Sequence, residues 1–167
     1  IEGNPAINES IFNLNKPILG ICYGMQVLAF QEGGSVENEG KKEFGYAQVS
    51  LQNKSSLFSN LDKNLDVWMS HGDKVTSLPD GYETVAVSDN SPIAAFENSE
   101  KKYFGLQFHP EVTHTKKGLE IIDNFIKECD LERRWTEEDI LKTIADEVDT
   151  KVHDGKVLLA LSGGVDS

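Results

Sequence analysis

The sequence predicts an α/β fold, and three observations carry that prediction. Pro17-Ile18-Leu19-Gly20-Ile21-Cys22 is an apolar run followed at once by helix-forming residues, the strand-turn-helix order of a unit built on a buried, parallel-type strand. Short β-type segments separated by turn chemistry fill the middle of the chain. Two later stretches place apolar residues at helical spacing, and Val157 to Leu161 then repeats the buried-strand pattern, opening a second α/β unit.

Taken in order, Met25 to Gln31 is the first helix, with Gly33-Gly34 as its stop. Strands are expected over Ala47 to Leu51, Asp66 to Met69, Tyr82 to Val87, Ile93 to Phe96 and Tyr103 to Phe108, with Pro79-Asp80-Gly81 and Asp89-Asn90-Ser91-Pro92 as turns. Gly118 to Glu128 is a helix whose Leu119, Ile122, Phe125 and Ile126 predict the buried face. Asp130 to Arg134 is charged and aperiodic and reads as a linker. Thr136 before Glu137-Glu138-Asp139 is an N-cap arrangement, and Ile140, Leu141, Ile144, Ala145 and Val148 give the helix behind it an apolar stripe. Asp154-Gly155 is a turn before the last strand.

Composition narrows the function classes. The 167 residues are enough for one core of ordinary size or a little more. Twenty-eight acidic against 16 basic residues repel a polyanion over most of the surface, which argues against nucleic acid as the main partner and confines any phosphate site to a local feature. No run approaches the roughly 18 to 20 apolar residues of a membrane helix, and no basic-then-apolar signal segment leads the chain. A cytoplasmic location and free thiols at Cys22 and Cys129 are the expectation. Ile1 in the first position and a motif with nothing after it at the last predict a section of a longer polypeptide.

Gly20-Ile21-Cys22-Tyr23-Gly24 has the form of a nucleophile elbow, a sharp strand-to-helix bend that exposes the reactive side chain. Its glycines permit close backbone approach, and the helix start favours thiolate over thiol. A thiol nucleophile needs a base, and the base needs an orienting carboxylate. Phe108-His109-Pro110-Glu111 supplies both at the end of an apolar strand, where residues two apart face the same way.

These motifs, read as Gly20-Ile21-Cys22-Tyr23-Gly24-Met25-Gln26 and Gln107-Phe108-His109-Pro110-Glu111, resemble those of the class I triad glutamine amidotransferases. The resemblance implies an open mixed sheet with flanking helices over residues 1–129, lacking an N-terminal part. It implies that Cys22 attacks the side-chain amide of glutamine, that His109 moves the proton to the departing ammonia, and that Glu111 holds the imidazole. The Tyr23 backbone N–H serves as an oxyanion donor, and the glutaminase step needs no cofactor. The family's second donor comes from a glycine-rich loop that Ile1 to Lys16 does not contain. Since one such donor is worth a factor of about 100 to 1,000, the chain alone is expected to be a poor glutaminase.

Three further stretches, Glu43-Phe44-Gly45-Tyr46-Ala47, Trp68-Met69-Ser70-His71-Gly72-Asp73 and His109 to Thr115, are similar to segments of the GMP synthetase family. That resemblance places Gln26, Phe44, Gly45, Ser70, His71 and Gly72 around a glutamine pocket. Asp73 joins them as an acidic group able to attract the substrate's α-amino group. Without the resemblance, Ser70 to Asp73 reads as a turn closing a strand. His114 lacks a zinc-type ligand set, and His153 reads as a surface residue.

Ser162-Gly163-Gly164-Val165-Asp166-Ser167 after an apolar strand offers backbone N–H groups and hydroxyls to phosphate oxygens, without the Gly-Lys-Ser/Thr of a Walker loop. It resembles the pyrophosphate loop of the ATP pyrophosphatases, so residues 130–167 read as a linker helix and the truncated start of that domain. The order of the two domains implies glutamine, ATP and xanthosine monophosphate as substrates, magnesium with the ATP, no protein metal ligands among these residues, and a homodimer in the full-length protein. Another glutamine-fed ATP pyrophosphatase synthetase shares this order, and a catalytically silent amidotransferase-like binding module is the reading from a different class.

Overall fold

The computed structural model describes residues 5–38, 40, 42–131 and 136–158. The chain divides into two compact units, 1–131 and 132–167. In the first, a 3-10 turn at Glu9–Leu14 leads into strand β1 (Ile18–Ile21), helix α1 (Tyr23–Gln31) and β2 (Ser35–Glu37). Next come β3 (Glu43–Leu51), β4 (Asn64–His71), β5 (Lys74–Ser77), β6 (Glu83–Val87), β7 (Ala95–Asn98), β8 (Tyr103–Leu106) and helix α2 (Gly118–Glu128).

Six strands form a mixed sheet in the order β1-β8-β7-β6-β3-β4, in which β1 and β8 are parallel and the remaining neighbours antiparallel. The open mixed sheet with flanking helices expected from the sequence is the fold observed. β8 shows why these strands read as continuous apolar runs: all four residues are buried, because helices cover both faces. Phe104 and Leu106 join the core that includes Val49, Val67, Phe108 and Ile121 of α2, and Phe104 meets the Phe125 ring edge-on at 6.0 Å. Tyr103 joins Met25, Leu28 and Ala29 of α1 on the other side. Gly105 must be glycine, since a Cβ there would stand 2.5 Å from Phe96 and 2.8 Å from Met25.

The structure corrects several boundaries. β3 starts at Glu43 rather than Ala47, and β4 runs from Asn64 to His71. β8 ends at Leu106, two residues before Phe108; the Gln107 N–H still follows the β7–β8 register to Ala94 O, and the His109 N–H then crosses to Trp68 O in β4. β2 and β5 form a separate antiparallel pair, unforeseen because three or four residues of mixed character give no period to read.

The buried face of α2 is also displaced. Ile121 and Asn124 are buried while Leu119 is 78% exposed. The Asn124 amide donates to Leu57 O and Ser59 O, both at 3.1 Å, so a polar residue occupies the position that a count of apolar side chains passes over.

In the second unit α3 (Glu137–Val152) starts at a full capping box, Thr136 and Asp139 bonding each other's backbone N–H. Asp154 lies in the expected turn, whereas Val157 and Leu158 are exposed and outside any strand. The rest of the expected strand and all of Ser162 to Ser167 lie outside the described residues. No described helix is long and apolar enough to cross a membrane.

Candidate active site

The register of the parallel pair builds the site. Ile21 stands opposite Leu106, and the Cys22 N–H continues the ladder by donating to Leu106 O at 2.7 Å. The chain then bends into α1 with Cys22 as N-cap at φ 52°, ψ −109°, a torsion that a side-chain-bearing residue holds only when its surroundings impose it. Gly20 makes the bend possible: a Cβ there would lie 2.7 Å from the Gly24 carbonyl and from Met25 N. Gly24 has open space around its Cβ direction, so close approach explains one of the two glycines in the motif and not the other.

Cys22 is a partly exposed free thiol whose Sγ lies 3.5 Å from Ser70 O of β4. Burial pushes this thiol above the ordinary cysteine value, the Tyr23 backbone N–H pulls it down, the Glu111 carboxylate raises it and Gln107 lowers it, with a net upward result. The sequence suggested a thiolate favoured by the helix start. Desolvation and a nearby negative charge outweigh that effect, so the resting sulfur keeps its proton and needs a base.

His109 and Glu111 lie in the turn after β8 rather than on the strand itself, and His109 Nδ1 is 2.6 Å from Glu111 Oε1. An ionised carboxylate only accepts, so Nδ1 carries the hydrogen of this pair, and in the neutral ring the lone pair is on Nε2. Nε2 is buried and has no hydrogen-bond partner among the described residues, an arrangement that calls for an explanation in a buried polar atom. The backbone of His109 is fixed at both ends: its N–H donates to Trp68 O at 3.0 Å, and its carbonyl accepts from Thr115 Oγ1 at 2.5 Å. Thr115 Oγ1 also accepts from the Trp68 N–H at 3.1 Å. Gly118 lets α2 close on this turn, since a Cβ would sit 1.8 Å from Pro110 O.

The other sequence-selected residues divide into exposed and structural groups. Ser70 and Asp73 are exposed, and Gly72 lies between them in the β4–β5 turn. Asp73 Oδ1 accepts from Asn38 at 2.7 Å. Phe44 is 68% exposed and pairs with Ser70 across the β3–β4 ladder. Phe44 and Gly45 line an open cleft of about 380 Å³ together with Met69, Ser88 and Asn90, and Cys22 is not among its walls. Gln26 is buried, its amide donating to Asp73 O at 2.7 Å and Gln107 Oε1 at 3.1 Å. His71 is buried too, between Asp73 O at 2.9 Å and Glu43 Oε2 at 3.1 Å. His114 stacks on Trp68 at 4.3 Å, and His153 is exposed.

Glu43, Gln107 and Thr115 support this site without having been assigned roles from sequence. All three fall inside the motif stretches, which was the available signal, and Gln107 directly follows an apolar strand. Among the described residues no group of three or more His, Cys, Asp or Glu is placed to hold a metal ion.

The glutamine amidotransferase class-I family model matches residues 1–129. Two proteins named GMP synthase [glutamine-hydrolyzing] align with 99% of the chain, one from Haemophilus influenzae at 49% identity and one from Pasteurella multocida at 48%. The chain spans about a third of the length of these curated relatives, 33% in each case. Among solved structures, a Thermoplasma acidophilum protein provisionally named as part of a GMP synthase superposes with a TM-score of 0.70 at 33% identity, covering 83% of this chain and 65% of the other. A glutamine amidotransferase from Thermotoga maritima gives 0.58 at 28% identity, covering 86% and 60%.

Proposed function

Because the chain belongs to the class I glutamine amidotransferase family, we propose that it is the glutamine-hydrolysing part of a GMP-forming ligase, with Cys22, His109 and Glu111 as its catalytic residues. The observation that carries the reading is His109: Glu111 fixes its tautomer, and its buried Nε2 is unpartnered among the described residues. A silent binding module has no use for a protonated, partly buried thiol together with a base in that state. The intact set therefore favours an enzyme.

The half-reaction follows from these groups. His109 Nε2 takes the Cys22 proton as the sulfur attacks the amide carbon of glutamine, and negative charge develops on the amide oxygen next to the Tyr23 N–H. The tetrahedral adduct collapses when His109 returns the proton to the nitrogen, so ammonia leaves and a glutamyl thioester remains. Water, deprotonated by the same Nε2, attacks the thioester carbon; glutamate departs and the thiol is restored. Glu111 stabilises the imidazolium formed in both halves. Ser70, Gly72, Asp73, Phe44 and Gly45 are the proposed rim of the glutamine site. Gln26 and His71 support it from beneath.

The ammonia is proposed to aminate xanthosine monophosphate activated by ATP, giving GMP, AMP and pyrophosphate. Ser162 to Ser167 would hold the ATP phosphates, magnesium would accompany the ATP, and ATP would supply the leaving group that makes the acceptor carbon reactive. Support comes from the relatives' names and from the sequence of that loop. A cytoplasmic location and a homodimeric full-length protein belong to the same reading, with 1–129 as the amidotransferase domain and 130–167 as the start of the synthetase domain.

The test uses a polypeptide of the relatives' length carrying this chain, supplied with glutamine, ATP, magnesium and xanthosine monophosphate, beside its Cys22→Ala variant. GMP from the parent with glutamine, and from the variant only with ammonium, is expected. Glutamine hydrolysis without GMP would move the acceptor to another synthetase. A Cys22→Ala variant that still uses glutamine would remove the nucleophile assignment.

A further inference from the structure

We propose that Gln107 is a positioning residue for the Cys22 nucleophile, its side-chain amide hydrogen aimed at the sulfur and kept there by Gln26. The inference rests on Cys22 being the nucleophile, as above. The β1–β8 register sets the two residues side by side, since Cys22 N–H donates to Leu106 O and Gln107 is the residue that follows β8. Gln107 is fully buried, and its Nε2 lies 3.9 Å from Cys22 Sγ, within reach of a hydrogen bond to sulfur.

What makes this more than a contact is that the amide has one permitted orientation. Asp73 O is a backbone carbonyl and accepts only, so the Gln26 group facing it at 2.7 Å must be the NH₂. That same NH₂ reaches Gln107 at 3.1 Å, which makes the facing Gln107 atom the oxygen and turns the Gln107 NH₂ towards the sulfur. Asp73 O is itself met by His71 Nδ1 at 2.9 Å, and His71 Nε2 by the buried Glu43 at 3.1 Å. A continuous hydrogen-bonded chain thus runs from Glu43 on β3 to the nucleophile.

Such a donor favours the charged form of the sulfur without bringing a charge of its own. Besides His109, the base proposed above and held on Glu111 at 2.6 Å, the groups acting on Cys22 are the Tyr23 N–H at the start of α1, Ser70 O from β4, and Glu111 from the turn after β8, whose charge opposes ionisation. Gln107 works with Tyr23 against burial and Glu111.

The measurement is the pH profile of Cys22 alkylation by iodoacetamide, a neutral reagent, in a Cys129→Ser background that removes the other thiol. Gln107→Met, which keeps the volume and loses the donor, is expected to slow alkylation at pH 8 by about threefold to tenfold and to move the profile to higher pH. Gln26→Met, which frees Gln107 to flip, should move it the same way by less. Wild-type profiles in both variants, with native circular dichroism, would overturn the proposal. Should the variants not fold, side-chain amide NMR of the unsubstituted chain decides: the Gln107 NH₂ resonances should titrate with Cys22 and lose that titration in Cys22→Ser, and resonances indifferent to Cys22 would also overturn it. Because alkylation reads the thiol directly, failure here is distinct from failure of the nucleophile assignment, which Cys22→Ala tests through glutamine turnover.

Discussion

At Cys22 the local field works against the thiolate that the proposed catalysis requires. Burial and the Glu111 carboxylate both hold the proton on sulfur, while the same carboxylate bonds His109 Nδ1 at 2.6 Å. Glu111→Gln should therefore shift two observables in opposite directions. Glutamate release from glutamine should fall about 100-fold to 10,000-fold, since the imidazolium loses its counter-charge, while Cys22 alkylation at fixed pH should become faster. Slower alkylation, or unchanged glutamate release, would remove Glu111 from this role. Glu43 gives a second residue-scale test. Burial tends to raise its carboxyl, but the His71 contact and Ser88 hydroxyl outweigh it, and the result lies below the ordinary glutamate value. A depressed folded-state value adds stability that is fully present above the unfolded value of about 4.3 and is lost as pH falls through the folded one. Glu43→Gln should thus be less stable than the parent in urea at pH 7, with the gap closing below about pH 4. A gap of constant size from pH 7 to pH 3 would mean that the pairing has no electrostatic content.

Among the elements, local pattern sufficed where burial is one-sided or continuous and failed where polar groups occupy the interior. The β1–turn–α1 unit was legible because an apolar run, two glycines and a helix former meet within a few residues, and the α3 start was legible from Thr136 standing as N-cap before three acidic residues. The inward face of α2 was legible only in part: Phe125 packs against the core as expected, but Asn124 points inward on hydrogen bonds to Leu57 O and Ser59 O while Leu119 points out. Ile121→Ala should cost about 2 to 5 kcal/mol in urea unfolding and Leu119→Ala less than about 0.5; comparable losses would restore the face read from sequence. The elbow glycines separate the same way. Gly20→Ala should disrupt the β1–α1 bend, whereas Gly24→Ala is accommodated in open space, and the two variants' melting curves check the contrast.

Across the first unit as a whole, the site joins parts of the chain that sequence reading treats as distant. The pairing of His109 with Glu111 was legible because both lie in one short motif, but the chain of contacts from Glu43 through His71, Asp73, Gln26 and Gln107 exists only once β3, β4, α1 and β8 are in register. No local pattern encodes which buried amide faces which carbonyl. The parallel pairing of Ile21 with Leu106 closes a long loop, and its entropy is recovered only when the central strands between them are in place. Cys22 and its hydrogen-bonded neighbours should therefore form and dissolve with the sheet as one unit. Native-state hydrogen exchange reads this directly: the Cys22 N–H bonded to Leu106 O and the Gln107 N–H bonded to Ala94 O should exchange with the free energy and urea dependence of global unfolding. Amides of the separate β2–β5 pair should open at lower free energy and with little urea dependence. If Cys22 exchanged by such a small, local opening instead, the elbow would be a mobile loop laid on the sheet, and the strained torsion at Cys22 would have no rigid frame to impose it.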